Sequence, residues 1–239
     1  MARACTSGAR MENTSAALAV TYPCSLAIWC KPGVHLGSTF WGFGTTAGSP
    51  NNHWLVLAYD GGNRGFFELA VAGAGNDALG PAGTLFTDGA WNLAVGVCTS
   101  LTSRIMYVNG VAGTADTGSA AINAFTNTTI CGAYFGSGTI GAQCTADLAM
   151  ATVWNVALTA GDVTNLWNGG SGGNGTHPRN VRGQSVLGFY EITGSDSPEL
   201  DTVGTRNMTL VGSPGQVAGP PVDPFVPDVN TKSFQAIPI

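Results

Sequence analysis

The chain has 239 residues, 44% of them apolar, with 35 glycines and only 10% of its residues charged. That size and apolar content suit one large unit with a core of ordinary size, or one unit with an appendage, and exclude two full domains. A net charge of −5 with nine basic residues, of which only Lys31 and Lys232 are lysine, argues against nucleic acid or anionic membrane as a partner, because both need clustered Lys and Arg.

The first ~13 residues read as an arm. Arg3 and Arg10 precede the apolar run Ala16-Ala17-Leu18-Ala19-Val20, which is too short for a leader's apolar region of about seven to fifteen residues, so no cleaved leader is expected. No run approaches the ~20 apolar residues of a membrane span. Alternating apolar runs bounded by Gly, Asn, Asp, Pro and Ser predict strands over residues 24–31, 38–43, 53–59 and 66–71. At the entry of the third, Asn51, Asn52, His53 and Trp54 bunch amides, an imidazole and an indole, the composition of a glycan contact. The Trp54 ring precedes Leu55-Val56-Leu57 and suits the core equally.

Further strands are predicted over 88–97, 105–111 and 128–134, the second turning at Asn109-Gly110, a strong hairpin signal. The run 148–154 is apolar without interruption, as in a strand covered on both faces. It leads into a helix over 159–168. Thr159 stands at the N-cap with Asp162 three residues on, Leu158 and Val163 form a hydrophobic staple, and Gly169 stops the chain. Val163, Leu166 and Trp167 give that helix one apolar stripe. A last strand is predicted over 185–192.

From Ser213 onward come six of the twelve prolines, with Val217, Val222, Phe225, Val226, Val229, Phe234, Ile237 and Ile239 among them. Such a segment cannot join a sheet interior and is extended. Being apolar, it has to lie on protein, either its own sandwich or a neighbouring copy, and the low charge favours the neighbour. Residues 1–212 thus form the folded unit and 213–239 the assembly arm.

Chemistry is sparse. Cys5, Cys24, Cys30, Cys98, Cys131 and Cys144 show no metal-clamp spacing. They are read as reduced core thiols, with a cross-strand bond such as Cys98–Cys131 as the alternative. Glu68 alone among four glutamates lies in the middle of a strand, with no carboxylate two residues on, which favours a solvated outward position over catalysis. His35, His53 and His177 accompany no nucleophile. Asp60, Asp77 and Asp116 are loop acids that either shape turns or contribute to a calcium site, which needs several converging oxygens.

Several segments resemble the laminin-G-like, concanavalin A-like jelly-roll family: Cys24–Lys31, Asp88–Val97, Ile105–Val111 and, above all, Asp147–Trp167. The resemblance implies an all-β antiparallel sandwich with one short helix. Residues 184–212 resemble the closing segment of laminin-G-like proteins in bacteriophage virions. That implies a noncatalytic virion surface protein made in the host cytoplasm, a capsid decoration or cement protein that binds capsid subunits through its arm and sandwich edges. It would be a homo-oligomer, with a trimer favoured, and would need no cofactor. The other function the family implies is a lectin-like adhesion module that binds surface glycans, with calcium as an optional ligand.

Overall fold

The computed structural model describes residues 1–6, 8–15, 18–33, 37–45, 53–71, 74–83, 85–135, 140–169, 171–193 and 197–227. The chain begins with β1 (Ala2–Cys5), β2 (Arg10–Asn13), β3 (Cys24–Pro32), β4 (Ser38–Gly44), β5 (His53–Tyr59) and β6 (Gly65–Val71). There follow β7 (Ala74–Leu79), β8 (Asn92–Ser100), β9 (Ser103–Val108), β10 (Val111–Ala112), β11 (Asn127–Ile130) and β12 (Ala133–Tyr134). The last elements are β13 (Ile140–Gly141), β14 (Ala146–Trp154), helix α1 (Ala160–Asn168), β15 (Val186–Tyr190), β16 (Thr209–Val211) and β17 (Gly215–Val217).

Two antiparallel sheets make the sandwich. One runs β10-β9-β8-β3-β14-β1-β17, with β15 also paired to β14; the other runs β16-β2-β11-β4-β5-β6-β7. Between them lie Leu26, Ile28, Trp41, Phe43, Leu55, Leu57 and Phe67, all fully buried. A second core on the far side of the first sheet joins Trp29, Val95, Trp154 and Phe189 to α1 through Val163 and Leu166.

The strand expected over 148–154 is covered on both faces, as its sequence requires. Leu148, Ala151 and Val153 face the inter-sheet core, while Ala149 and Trp154 face the helix layer. The alternation changes phase at Met150, whose φ is +52° and where the register with β3 shifts. Helix α1 is closed by the expected cap. The Thr159 hydroxyl accepts from the Asp162 N–H (3.1 Å), and the Asp162 carboxylate accepts from the Thr159 N–H (3.0 Å). At the β9–β10 turn, Asn109 and Gly110 both take positive φ, as a two-residue primed turn demands.

Three expectations change. Residues 1–13 form no free arm, because β1 enters the first sheet beside β14 and β2 the second beside β11. The strand over 128–134 is split at Cys131 (φ +68°) and Gly132 (φ +134°), where the chain leaves the sheet to form the β12–β13 hairpin. The described part of the C-terminal segment packs on its own sandwich. Its β17 pairs with β1, Asp223 donates its N–H to the Gly175 carbonyl (2.9 Å), and the Phe225 ring packs on His177 (5.5 Å) beneath the Arg179 guanidinium (4.1 Å). Val222 joins the second core, whereas Val226 is exposed. Val229, Phe234, Ile237 and Ile239 lie outside the described residues.

Candidate functional site

Strand alternation sorts the residues of β5, β6 and β7 between two faces. Leu55, Leu57, Phe67, Leu69 and Ala78 point into the inter-sheet core. The alternate positions face outward in three rows: Trp54 opposite Ala70 and Gly75, Val56 opposite Glu68 and Asp77, Ala58 opposite Phe66 and Leu79. The β12–β13 hairpin folds over the neighbouring part of this face. Gly42 and Gly44 make that approach feasible, since a Cβ on Gly44 would stand 2.3 Å from the Tyr134 carbonyl oxygen. Phe135 follows β12, and its ring meets Trp54 edge-on at 5.2 Å. Trp54, Phe66 and Phe135 are each half-buried.

Two carboxyl groups lie among these rings. Glu68 stretches over Gly75, where a Cβ would fall 2.1 Å from its Oε1 and would push the carboxylate aside. Burial raises the Glu68 pKa, the neighbouring Trp54 indole pulls it down, and Asp77 pushes it further up. Asp77 is also raised, by burial first and by Asp116 second. Among the described residues neither carboxyl has a cationic partner. The face therefore offers aromatic surface and carboxylate acceptors. Aromatic faces pack on the C–H surface of a sugar ring while carboxylates accept from its hydroxyls.

The residues singled out at the entry of β5 are not brought together. His53 and Trp54 are consecutive in a strand and so face opposite ways; His53 points towards Asn123, with Nδ1 3.4 Å from the amide nitrogen. Asn51 and Asn52 lie outside the described residues. The three loop acids also diverge. Asp60 accepts from the N–H groups of Gly62 and Arg64 (2.9 Å each) and shapes its own turn. Asp116 is paired with the fully buried Arg104. Only Asp77 reaches the outward face. Sequence reasoning placed Glu68 outward but missed Asp77 as its cross-strand neighbour and missed Phe135 altogether. The signal for Phe135 is indirect, residing in the glycines of β4 that admit the hairpin.

The cysteines are all free and buried. Cys98 stands opposite Cys24 in the β3–β8 register, and Cys131 meets Cys144, so the fold does not bring Cys98 to Cys131. A second aromatic cluster lies on the helix side, where Trp29 stacks on Trp167 (5.4 Å) and both line a cavity of about 200 Å³ with Trp91 and Pro221.

Residues 6–164 match the sequence profile described as the Concanavalin A-like lectin/glucanases superfamily. No curated protein matches by sequence. Among solved structures, a SAP-like pentraxin from Limulus polyphemus is similar with a TM-score of 0.54 at 15% identity, over 66% of this chain and 75% of that one. The Ruminococcus gnavus IT-sialidase CBM40 bound to alpha2,3 sialyllactose gives 0.53 at 11% identity, over 62% of this chain and 84% of that one. Domains LG4-5 of the mouse laminin alpha1 chain give 0.52 at 14% identity, over 67% and 43%. At these identities the likeness is one of fold.

Proposed function

The chain belongs to the concanavalin A-like lectin/glucanases superfamily, and from that premise we propose that it is a noncatalytic carbohydrate-binding protein whose outward β5–β7 face holds neutral sugar rings. One observation carries the reading. The half-buried Trp54, Phe66 and Phe135 flank Glu68 and Asp77, on a face where neither acid has a cationic partner among the described residues. The CBM40 neighbour is named with a sialylated ligand, but two acids here would repel a carboxylated sugar. Neutral hexoses fit better.

A glycan array followed by titration calorimetry tests this. The chain should retain neutral glycans in preference to sialylated ones, and Trp54→Ala should weaken binding by about tenfold or more, the equivalent of ~1.4 kcal/mol. Trp167→Ala, on the opposite side of the molecule, serves as the control and should leave affinity unchanged. Equal affinity for wild type and Trp54→Ala would sink the proposal.

A second reading is a virion decoration protein, supported by the resemblance of residues 184–212 to virion proteins and by the exposed Val226 at the end of the described arm. On that reading the residues of the assembly arm bind a neighbouring subunit. Their removal should abolish attachment to particles while leaving glycan binding intact. Undiminished particle occupancy after truncation would count against it.

A further inference from the structure

Three thiols meet where the two sheets close at one end of the sandwich. Cys131 leaves β11 and starts the β12–β13 hairpin, Cys144 stands at the hairpin's return just before β14, and Cys5 ends β1 in the other sheet. The Sγ atoms of Cys131 and Cys144 are 3.1 Å apart, and Cys131 Sγ is 3.0 Å from the Cys144 carbonyl oxygen. All three cysteines are buried, none more than 1% exposed. To reach the ~2.05 Å of a disulfide, the Cys131 and Cys144 sulfurs need to approach by only about 1 Å.

We propose that Cys131 and Cys144 form an oxidative modification site that closes to a disulfide when a peroxide reaches the protein. Cys144 donates a hydrogen bond to the Cys131 sulfur, which favours Cys131 as the thiol that reacts first. Cys131 attacks the peroxide, the O–O bond breaks, and a sulfenic acid forms as the first water leaves. The Cys144 sulfur then attacks the sulfenic sulfur, the S–O bond breaks, and the second water leaves. Two thiols thus lose two electrons and two protons while hydrogen peroxide is reduced to two waters. The bond ties the two ends of the hairpin that delivers Phe135 to Trp54.

The fold supplies its own comparison pair. Cys24 and Cys98 are also buried and opposite each other, but the hydrogen bond that Cys98 donates to Cys24, together with burial, raises Cys98 above the ordinary thiol range. Full-length protein treated with hydrogen peroxide, denatured, alkylated and mapped by mass spectrometry under non-reducing conditions should show one bond, Cys131–Cys144, with four thiols left. Cys144→Ser should leave its five remaining cysteines without an internal bond. Oxidation should raise Tm by roughly 5–10 °C, reversed by a dithiol reductant. A bond mapped to Cys24–Cys98 or Cys5–Cys131, or a peroxide-treated chain whose thiols all remain alkylatable, overturns the assignment. A Cys131–Cys144 bond that leaves Tm unmoved overturns its role as a staple.

Discussion

His177 is buried against Phe189 and Phe225, its Nδ1 accepting the Arg179 N–H at 3.2 Å. Burial first, and the Arg179 charge second, hold its pKa down to about 4. Glu191 and Asp223 line the adjoining cavity but do not reverse that shift. The unfolded chain binds this proton from about pH 6.5 downward and the native chain does not. Stability is therefore fully present above that pH and falls as pH drops towards 4, by at most about 3 kcal/mol. Urea unfolding at pH 7.5 and 4.5 should show the loss in wild type and a smaller one in His177→Gln; equal losses would contradict a neutral buried imidazole. Arg104 is fully buried, bonded to the Asp116 carboxylate and to the carbonyls of Leu101 and Gly118. Arg104→Met strands Asp116 and should cost about 3–5 kcal/mol in equilibrium denaturation. Asp201 shows why a motif resembles a family without marking its function. Its carboxylate accepts the N–H groups of Phe189, Val203, Gly204 and Arg206, and a Cβ on Gly204 would lie 2.4 Å from its Oδ2. The Asp-x-x-Gly spacing is thus a turn requirement. It was legible as a resemblance, but its cause appears only when the carboxylate is seen among its donors.

Among the elements, α1 and β14 could be read from the chain because their determinants are local. A cap, a staple and a stripe lie within eleven residues of one another in Leu158–Asn168, and β14 announces its double burial by an uninterrupted apolar run. Strand β7 could not, since Ala, Gly, Asn and Asp are poor strand formers and the segment is a strand only because β6 pairs with it. Strands β1 and β2 are equally silent, as each has four residues and finds its partners far along the chain. The outward site shares this division. Alternation along β6 located Glu68, whereas the covering hairpin depends on glycines in β4. Replacing Gly44 by valine forces the hairpin off β4, with an expected cost of about 1–3 kcal/mol. Because Phe135 moves away from Trp54 with it, glycan affinity should fall in the same variant; affinity unchanged alongside lost stability would separate the hairpin from the site.

At the scale of the molecule, the boundary expected at Gly212 does not coincide with a break in contacts. Beyond it lie β17, the Pro214 carbonyl that accepts from Arg3 (3.3 Å), and Val222 and Phe225 in their places on the sandwich. Truncation after Gly212 should therefore lower Tm by about 10 °C, read by calorimetry, and no change would mean that these contacts contribute nothing. Arg3 also forms a buried ion pair with Glu199 (3.0 Å), so the first strand is fixed twice by residues near the other end. The pairing of Ala2 with Val217 bears on how the chain is made. A ribosome releases β1 first, yet β1 has no partner until β14 has emerged, and its outer edge stays open until β17 follows. Loop closure over such a span is slow, on the order of milliseconds to seconds for β sandwiches. That edge of the first sheet is therefore the last to be sealed, after residue 217 has emerged.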